Sequence, residues 1–357
     1  MDLLRLAGAP GVGKSTTAWA IAQRLADEGV PCGYVDTDQL GMCYPAPDDD
    51  SDRWALKERA LAGVAEEFWR AGVQRLVVSG VAFPDDPPPQ IDGISVRSVW
   101  LDASEQTRRE RLGQRGSSED QLQQYLAAGT AEAARVESSW ERISTDGWSL
   151  DETVDAVLSR WHPVVVQESR APRPFISEAA AVDRVLWVTG PRLAGASRIG
   201  WEIASEEWGA GRRLGFADLA QLSFAWNING AVGMANIARV HGVFRDVGAD
   251  VLVVVAPLEV SPFAVRAALP NAEVSFVRLV ATGADVRAHA RSRARGDGPA
   301  LAGDDLIDAS DADIEDVVRT SLAQSSLPLR EHEQAVDTRG LSLTDAAAAV
   351  RRFLPAE

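Results

Sequence analysis

The chain has 357 residues, of which 46% are hydrophobic and 25% are charged, as in ordinary soluble globular proteins. This length predicts two domains of ordinary size. The formal net charge of −16 argues against a large surface for nucleic acid or for an anionic membrane, because either surface needs a basic face. We therefore expect neither nucleic acid nor a membrane among the partners.

Cysteine usage and the N-terminus favour a cytoplasmic location. Cys32 and Cys43 provide neither a disulfide framework nor a metal-ligand spacing, which fits a reducing compartment. No apolar run approaches the roughly 20 residues that a membrane span requires. The chain passes from Met1 directly into a predicted strand, so we expect no signal peptide.

The first predicted strand, 3–7, leads into a glycine-rich loop and a predicted helix over 15–28. The loop reads G-x-x-x-x-G-K-S, in the strand-to-helix context that is typical of a phosphate-binding loop. Backbone N–H groups and the helix N-terminus would hold phosphate oxygens. Lys14 would reach the β- and γ-phosphates, and Ser15 would bind Mg²⁺. The predicted nucleotide contacts in the loop are Gly8, Gly11, Val12, Gly13, Lys14, Ser15 and Thr16.

The second predicted strand, 34–36, ends at a carboxylate that begins a D-x-D sequence, Asp36 to Asp38. Ligands gather at the carboxyl edge of open α/β sheets. Phosphoryl transfer needs a carboxylate that orients the attacking hydroxyl and accepts its proton. Asp36 and Asp38 are therefore candidate catalytic residues, and the alternative is that they cap the following turn.

A predicted helix over 54–71 and a buried predicted strand over 75–79 follow. This strand ends in Ser79 and Gly80, where motor-type ATPases carry a metal-binding acid. Metal support must then come from Asp36 or from Ser79. Ser79 is either a group that contacts the metal through water or simply the end of the strand.

A predicted strand over 96–101 precedes an arginine-rich predicted helix over 104–115. The guanidinium fork binds phosphate oxygens in two places and keeps its charge. Arg111 and Arg115 lie one helical turn apart and can project together. We expect Arg111 to contact the nucleotide and Arg115 to act in catalysis. The alternative is a solvated helix whose arginines pair with neighbouring glutamates.

With its phosphate loop, its D-x-D sequence and these arginines, the first half resembles the P-loop small-molecule kinases, such as shikimate kinase, adenylylsulfate kinase and chloramphenicol phosphotransferase. The resemblance implies a three-layer α/β domain of the nucleoside-monophosphate-kinase type, with ATP and Mg²⁺ as cofactors and a small-molecule acceptor. It implies that Asp36 supports the metal or acts as the base, and that Asp38 holds the acceptor. It also places the adenine ring near Thr145 and Gly147.

Residues 163–182 carry three prolines and lose helical periodicity, which predicts a linker. Beyond it, a shift of 182 residues superposes 3–40 on 185–222 without a gap and pairs Gly8 with Gly190. We therefore predict two tandem P-loop domains, each a mostly parallel sheet with helices on both faces. Their predicted bounds are 1–162 and 183–357.

The second half repeats the order of elements but loses key side chains. Its predicted strands are 185–189, 250–255 and 276–280, and its predicted helices are 198–208, 226–247 and 287–295. Ala196 replaces Lys14, and Ala220 replaces Asp38. Losing one partner of a desolvated charge pair costs about 2–5 kcal/mol. We therefore predict an inactive second domain that makes the monomer an internal pseudo-dimer, with a homodimer as the alternative.

These patterns favour an ATP- and Mg²⁺-dependent phosphotransferase that acts on a hydroxyl of a small molecule. The alternative is a regulatory protein that binds ATP or GTP and changes partner affinity with little turnover. A kinase acting on nucleic-acid ends is disfavoured by the acidic net charge.

Overall fold

Buried strands alternate with helices in both halves of the chain, as the sequence predicts. The computed structural model describes residues 1–87, 90–114, 118–161, 183–298 and 301–354. The described residues of the first half form β1 (Asp2–Ala7), α1 (Lys14–Asp27), β2 (Cys32–Asp36), a 3₁₀ turn (Gln39–Gly41), β3 (Cys43–Tyr44), α2 (Trp54–Arg70), β4 (Arg75–Ser79), β5 (Ser95–Asp102), α3 (Glu105–Gln114), α4 (Glu119–Ala133), β6 (Glu141–Ser144) and α5 (Leu150–Leu158).

The second half continues with the same alternation. Its described residues form β7 (Asp183–Gly190), α6 (Ala196–Gly209), β8 (Leu214–Asp218), β9 (Ala225–Trp226), α7 (Gly233–Asp246), β10 (Val251–Pro257), α8 (Pro262–Ala268), β11 (Ala272–Val280), α9 (Gly283–Ala294), α10 (Asp311–Ser325), β12 (Glu333–Asp337) and α11 (Leu343–Arg351).

The described residues group into two compact units. Unit 1 combines 1–40 and the described residues of 57–161 with 224–232. Unit 2 combines 41–56 and 183–223 with the described residues of 233–354. The predicted linker, 163–182, lies outside the described residues, and the predicted domain bounds stay a prediction.

The sheet of unit 1 has the strand order β6-β5-β1-β4-β2-β9. Its first five strands pair in parallel, and β9 is antiparallel to β2. All six residues of β1 are buried, as expected for a central strand covered on both faces. In the pairing register, Leu6 lies opposite Val99 on one side and Ser79 on the other.

The sheet of unit 2 has the corresponding order β12-β11-β7-β10-β8-β3. Val188 takes the place of Leu6 and lies opposite Val277 and Val255. Again, five strands are parallel and the last, β3, is antiparallel to β8. The predicted fold class, two α/β domains with mostly parallel sheets, is confirmed.

Each sheet ends in a two-residue strand from the other half of the chain. In unit 1, Trp226 pairs with Cys32, and the Tyr34 N–H donates to the Phe224 carbonyl over 2.9 Å. In unit 2, Cys43 pairs with Gly215, and the Phe216 N–H donates to the Met42 carbonyl over 2.7 Å. The two halves therefore exchange the segments that follow their second strands.

The predicted helix over 226–247 is wrong in its first part. Ala225–Trp226 is a strand, and the helix begins only at Gly233. Asn227 between them has a positive φ of 58°, a conformation that asparagine tolerates better than most residues and that is typical of turns. Among the described residues, no helix combines the length and the apolar character that crossing a membrane would need.

Candidate active site

The phosphate loop of unit 1 follows β1 and leads into α1. Gly8 has a φ of 140°, and a Cβ there would lie 2.2 Å from the Leu101 carbonyl oxygen, so any side chain would push the loop off β5. Gly13 precedes α1 in the left-handed region, with a φ of 97° and no side-chain cap. The N-terminus of α1 therefore keeps backbone N–H groups for an anion.

Lys14 lies at the start of α1. Its Nζ donates to the Ala9 carbonyl oxygen over 3.0 Å, within its own loop. A cation there, beside the helix N-terminus, suits the charge of a polyphosphate. Thr16, also predicted to contact the nucleotide, is exposed on the first turn of the same helix.

Asp36 lies at the end of β2 and accepts hydrogen bonds on both carboxylate oxygens. Oδ2 accepts from the Ser15 hydroxyl at 3.1 Å and from the Ser79 hydroxyl at 2.6 Å. Oδ1 accepts from the Asp38 N–H at 2.9 Å. The Tyr34 hydroxyl lies 2.9 Å from the Ser79 hydroxyl. Three hydroxyl groups therefore converge on the carboxylate that the sequence proposes for metal support.

The environment of Asp36 raises the pKa of its carboxyl. Burial is the main cause, and the neighbouring Asp38 charge adds to it, against the hydrogen bonds from Ser79, Asp38 and Ser15. A nearby divalent cation would oppose both causes, because it favours the charged carboxylate. The site is therefore suited to a cation that the described side chains do not supply.

Asp38 lies beside Asp36 but has a different partner. The Lys57 ammonium donates to its Oδ1 over 2.8 Å. The Lys57 side chain is only 6% exposed, whereas the Asp38 side chain is 53% exposed. Asp38 therefore offers an accessible carboxylate held from behind by a buried cation. Sequence reasoning missed Lys57, although Lys14 and Lys57 are the two lysines of the whole sequence.

The donor set fits a Mg²⁺ ion bound together with a nucleotide. Ser15 and Asp36 supply one hydroxyl and one carboxylate 3.1 Å apart. Mg²⁺ prefers oxygen ligands and often keeps several waters, with one or two carboxylates and substrate phosphates completing its shell. Within the described ranges, no group of three or more His, Cys, Asp or Glu side chains could hold a metal by itself.

Arg111 braces the phosphate loop from α3. Its Nη1 donates to the Val12 carbonyl oxygen at 3.0 Å and to the Thr145 hydroxyl at 2.9 Å. Thr145 is buried, and its N–H donates to the Asp102 carbonyl oxygen at 2.8 Å. Arg111 and Thr145 thus meet at the loop. Gly147 is exposed, with a φ of 71°, and the adenine contact proposed for this stretch stays a prediction.

The arginine-rich helix divides its charges between packing and the site. Arg115 lies outside the described residues, so its catalytic role stays a prediction. Arg108 is buried, and its Nη2 donates to the Thr130 hydroxyl on α4 over 2.9 Å. Gly129 makes this approach feasible, since a Cβ there would lie 2.0 Å from Nη1 of Arg108. Helix α4 thereby packs on the loop, a contact that sequence reasoning did not anticipate.

The corresponding place in unit 2 keeps part of this arrangement. Gly195 precedes α6 with a φ of 96°, and the Ser197 hydroxyl donates to Asp218 Oδ2 over 3.1 Å, as Ser15 does to Asp36. The residue between them is Ala196, in place of the lysine. Burial raises the pKa of Asp218. The frame of a phosphate loop is present without its cation.

The hydroxyl chain of unit 1 is also absent from this second frame. By the pairing register, Val255 takes the place of Ser79 opposite Asp218. Under the shift of 182 residues, Phe216 takes the place of Tyr34. Because valine and phenylalanine fill these strand positions, the fold itself does not require the hydroxyl groups of Tyr34 and Ser79.

Comparisons with known proteins identify a domain in the first half. Residues 3–137 match the family described as AAA domain. No curated protein matches the chain.

Three solved structures are similar to parts of this chain. A sugar kinase from Janibacter sp. HTCC2649 is 22% identical with a TM-score of 0.32, over 44% of this chain and 93% of that one. A gluconokinase from Sinorhizobium meliloti 1021 is 24% identical with a TM-score of 0.30, over 44% and 92%. A shikimate kinase from Bacteroides thetaiotaomicron is 16% identical with a TM-score of 0.29, over 44% and 97%. Because the TM-scores are below 0.5, these likenesses say nothing about the substrate of this chain.

The family match covers the phosphate loop, both aspartates of the D-x-D sequence and the arginine-rich helix. The predicted resemblance to P-loop proteins is therefore confirmed for this part of the chain. The first half contains a P-loop domain similar to the AAA-domain family.

Proposed function

We propose that this chain is an ATP- and Mg²⁺-dependent phosphotransferase that acts on a hydroxyl group of a small molecule. The observation that carries the proposal is the meeting of Ser15 with Asp36 at 3.1 Å, between the phosphate-loop lysine and Asp38. Phosphoryl transfer depends on positioning and on electrostatic stabilisation. These residues supply a cation for the phosphates, oxygen ligands for a metal and a carboxylate for the acceptor.

The two aspartates divide the work according to their partners. Asp36 accepts hydrogen bonds from the hydroxyl groups of Ser15 and Ser79 and is buried, which favours metal support. Asp38 is half exposed and has a single lysine partner, which favours orienting the acceptor hydroxyl and accepting its proton. When bound, Mg²⁺ would neutralise charge on the transferred phosphoryl group.

The second unit serves this function as an inactive copy in our proposal. Ala196 and Ala220 remove the two charges on which the chemistry of unit 1 depends. The lysine charge offsets charge that develops on the transferred phosphoryl group, so its loss lowers the rate as well as the affinity. Unit 2 keeps structural value because residues 224–232 of the second half belong to unit 1.

A screen of small hydroxyl compounds for stimulated ADP release tests the proposal. The full chain with Mg²⁺ and ATP should show strong stimulation by at least one acceptor. Lys14→Ala should abolish it, whereas Ala196→Ser in unit 2 should leave it unchanged. If nucleotide binds tightly while no acceptor raises turnover, the regulatory nucleotide-binding alternative replaces the kinase.

A further inference from the structure

The two units differ most in the segment that follows their arginine-rich helix. Four residues separate α3 from α4 in unit 1, whereas sixteen separate α9 from α10 in unit 2. The later helix begins in the same way in both units, at Ser118 and at Ser310, each with a capping box. Unit 2 therefore carries an insertion between two otherwise equivalent helices.

Part of this insertion folds back onto the second phosphate loop. We call residues 301–308 the acidic strap. Asp305 forms an ion pair with Arg192, which lies in the loop between β7 and α6. The neighbouring Asp304 forms an ion pair with Arg293 on α9. Two carboxylates of one segment thus engage one cation of the loop and one cation of the adjoining helix.

The ion pair of Asp304 is largely shielded from water. The Asp304 side chain is 10% exposed and that of Arg293 is 21% exposed. Leu306, two residues further along the strap, is 4% exposed and anchors the segment by burying apolar surface. Breaking a buried pair is costly, because it leaves an uncompensated charge out of water. The strap is therefore a fixed part of unit 2.

A third contact joins the strap to the end of the second strand. The Gln221 side-chain amide, just beyond β8, donates to the Ala302 carbonyl oxygen over 3.1 Å. Gln221 corresponds to Gln39 under the shift of 182 residues, close to the D-x-D sequence of unit 1. The strap therefore contacts all three parts of unit 2 that correspond to the candidate site of unit 1.

The cations that the strap neutralises occupy informative positions. Arg192 lies within the loop itself, and sheet register places Arg293 at the position of Arg115. Arginines at a phosphate loop and at the adjoining helix are suited to phosphate oxygens. In unit 2, aspartate carboxylates already meet them, as the phosphates of a nucleotide would.

We propose that the acidic strap is an internal ligand that closes the phosphate loop of unit 2 against nucleotides. Asp304 and Asp305 supply the negative charge that the loop region would otherwise take from a polyphosphate. A nucleotide would have to break both ion pairs before it could bind. The absence of lysine at position 196 is then a second barrier, and restoring that lysine alone does not restore binding.

Titration calorimetry on the full chain tests this proposal, with Mg²⁺ and a non-hydrolysable ATP analogue as the probe. The variants are Ala196→Lys, the triple variant Ala196→Lys with Asp304→Asn and Asp305→Asn, and the control Ala196→Lys with Asp308→Asn. Asp308 is an exposed carboxylate of the same strap. We expect the triple variant to bind one more nucleotide per chain than Ala196→Lys, and the control to bind no more than it.

The expected tightening at the second loop is about tenfold for each neutralised carboxylate, equivalent to about 1.4 kcal/mol. An additional site in Ala196→Lys alone would overturn the proposal. So would a folded triple variant that gains no site. If the triple variant does not fold, Ala196→Lys with Asp305→Asn alone replaces it, because the Asp305 side chain is 65% exposed. All variants share unit 1, so the comparison holds whether or not unit 1 is a kinase.

Discussion

Lys14 and Lys57 are the two lysines in a chain that has 36 lysine and arginine residues together. Both lie in unit 1 at the candidate site, one in the phosphate loop and the other 2.8 Å from Asp38. Lysine is a compact point charge, whereas arginine is a broad planar fork. A composition that uses arginine almost everywhere else therefore marks these two positions as places where the fork does not fit.

The serine that follows each phosphate-loop position gives a matched pair of variants. Ser15 and Ser197 each lie 3.1 Å from a buried aspartate, but only Ser15 follows a lysine. We expect Ser15→Ala to raise the Mg²⁺ concentration needed for half-maximal ADP release by about tenfold, because one metal ligand is lost. Ser197→Ala should change this value little, and equal effects of the two variants would contradict the assignment of the site to unit 1.

The buried carboxyl of Asp36 predicts how stability depends on pH. Its pKa is raised above 3.8, so in the folded protein without metal its charge costs stability at neutral pH. This cost is relieved as the pH falls through the raised pKa, because the folded state then binds the proton more tightly than the unfolded state. The cost is absent from Asp36→Asn.

Thermal unfolding without metal therefore distinguishes the two proteins. Any advantage in melting temperature of Asp36→Asn over the wild type should shrink as the pH is lowered from 7 toward 4. An advantage that grows over this range would show that the pKa is lowered instead. Mg²⁺ with nucleotide should reverse the order at neutral pH, since the cation needs the charged carboxylate.

Sequence reasoning predicted some of these residues and missed others for physical reasons. The loop motif and the strand before Asp36 predict that Ser15 and Asp36 lie at one sheet edge, where the structure has them in hydrogen-bond contact. The Lys57 contact depends on how a helix returns to the sheet, which has no short sequence pattern. The packing of Arg108 on Thr130 depends on Gly129, whose role appears only when α4 meets the loop.

At the scale of elements, strand β9 completes the sheet of unit 1. Trp226 stacks on Phe224 with centroids 6.1 Å apart, and both rings contact Trp19 on α1, at 5.5 and 4.8 Å. Aromatic pairs of this kind add about 0.5–1.5 kcal/mol beyond the area that they bury. The aromatic cluster therefore fastens a strand of only two residues to the edge of the sheet.

We expect Trp226→Ala to lower the free energy of unfolding of unit 1 by about 2 kcal/mol, because it removes a half-buried ring from this cluster. Urea unfolding monitored by circular dichroism measures the change. Trp148→Ala is the control, since Trp148 is 42% exposed and exposed substitutions usually change stability by less than about 0.5 kcal/mol. Similar losses in both variants would show that β9 adds little.

Longer elements were predictable from sequence, and the exchanged strands were not. Runs such as Val251–Pro257 are β-branched and buried, and their pattern indicates a strand without tertiary information. Two-residue strands such as Cys43–Tyr44 are too short to have a period. Their pairing is decided by the open edge of a distant strand, so no local pattern could reveal it.

At the scale of the whole molecule, the exchange makes neither half complete by itself. A fragment of residues 1–162 lacks 224–232, which belongs to unit 1. Its strand β2 would present an unpaired edge, and such edges promote aggregation. We expect this fragment to unfold at a lower urea concentration than unit 1 in the full chain, and addition of a 183–357 fragment to restore part of the difference. Identical midpoints would contradict this expectation.

The retained second half thus has a structural reason to persist even though it lacks the charged groups of the first. Duplication explains the shared strand order, and the loss of Lys14 and Asp38 equivalents explains why one site is enough for the proposed chemistry. Experiments on nucleotide binding should therefore use the full chain, in which both exchanged segments are present.

The most direct test of the central claim is the number of Mg²⁺-bound ATP analogues that the full wild-type chain binds, measured by titration calorimetry. The account predicts one per chain, with affinity falling about 30-fold or more in Lys14→Ala, since one partner of a desolvated charge pair is lost. Binding of two nucleotides per chain, or binding that survives Lys14→Ala unchanged, would contradict it.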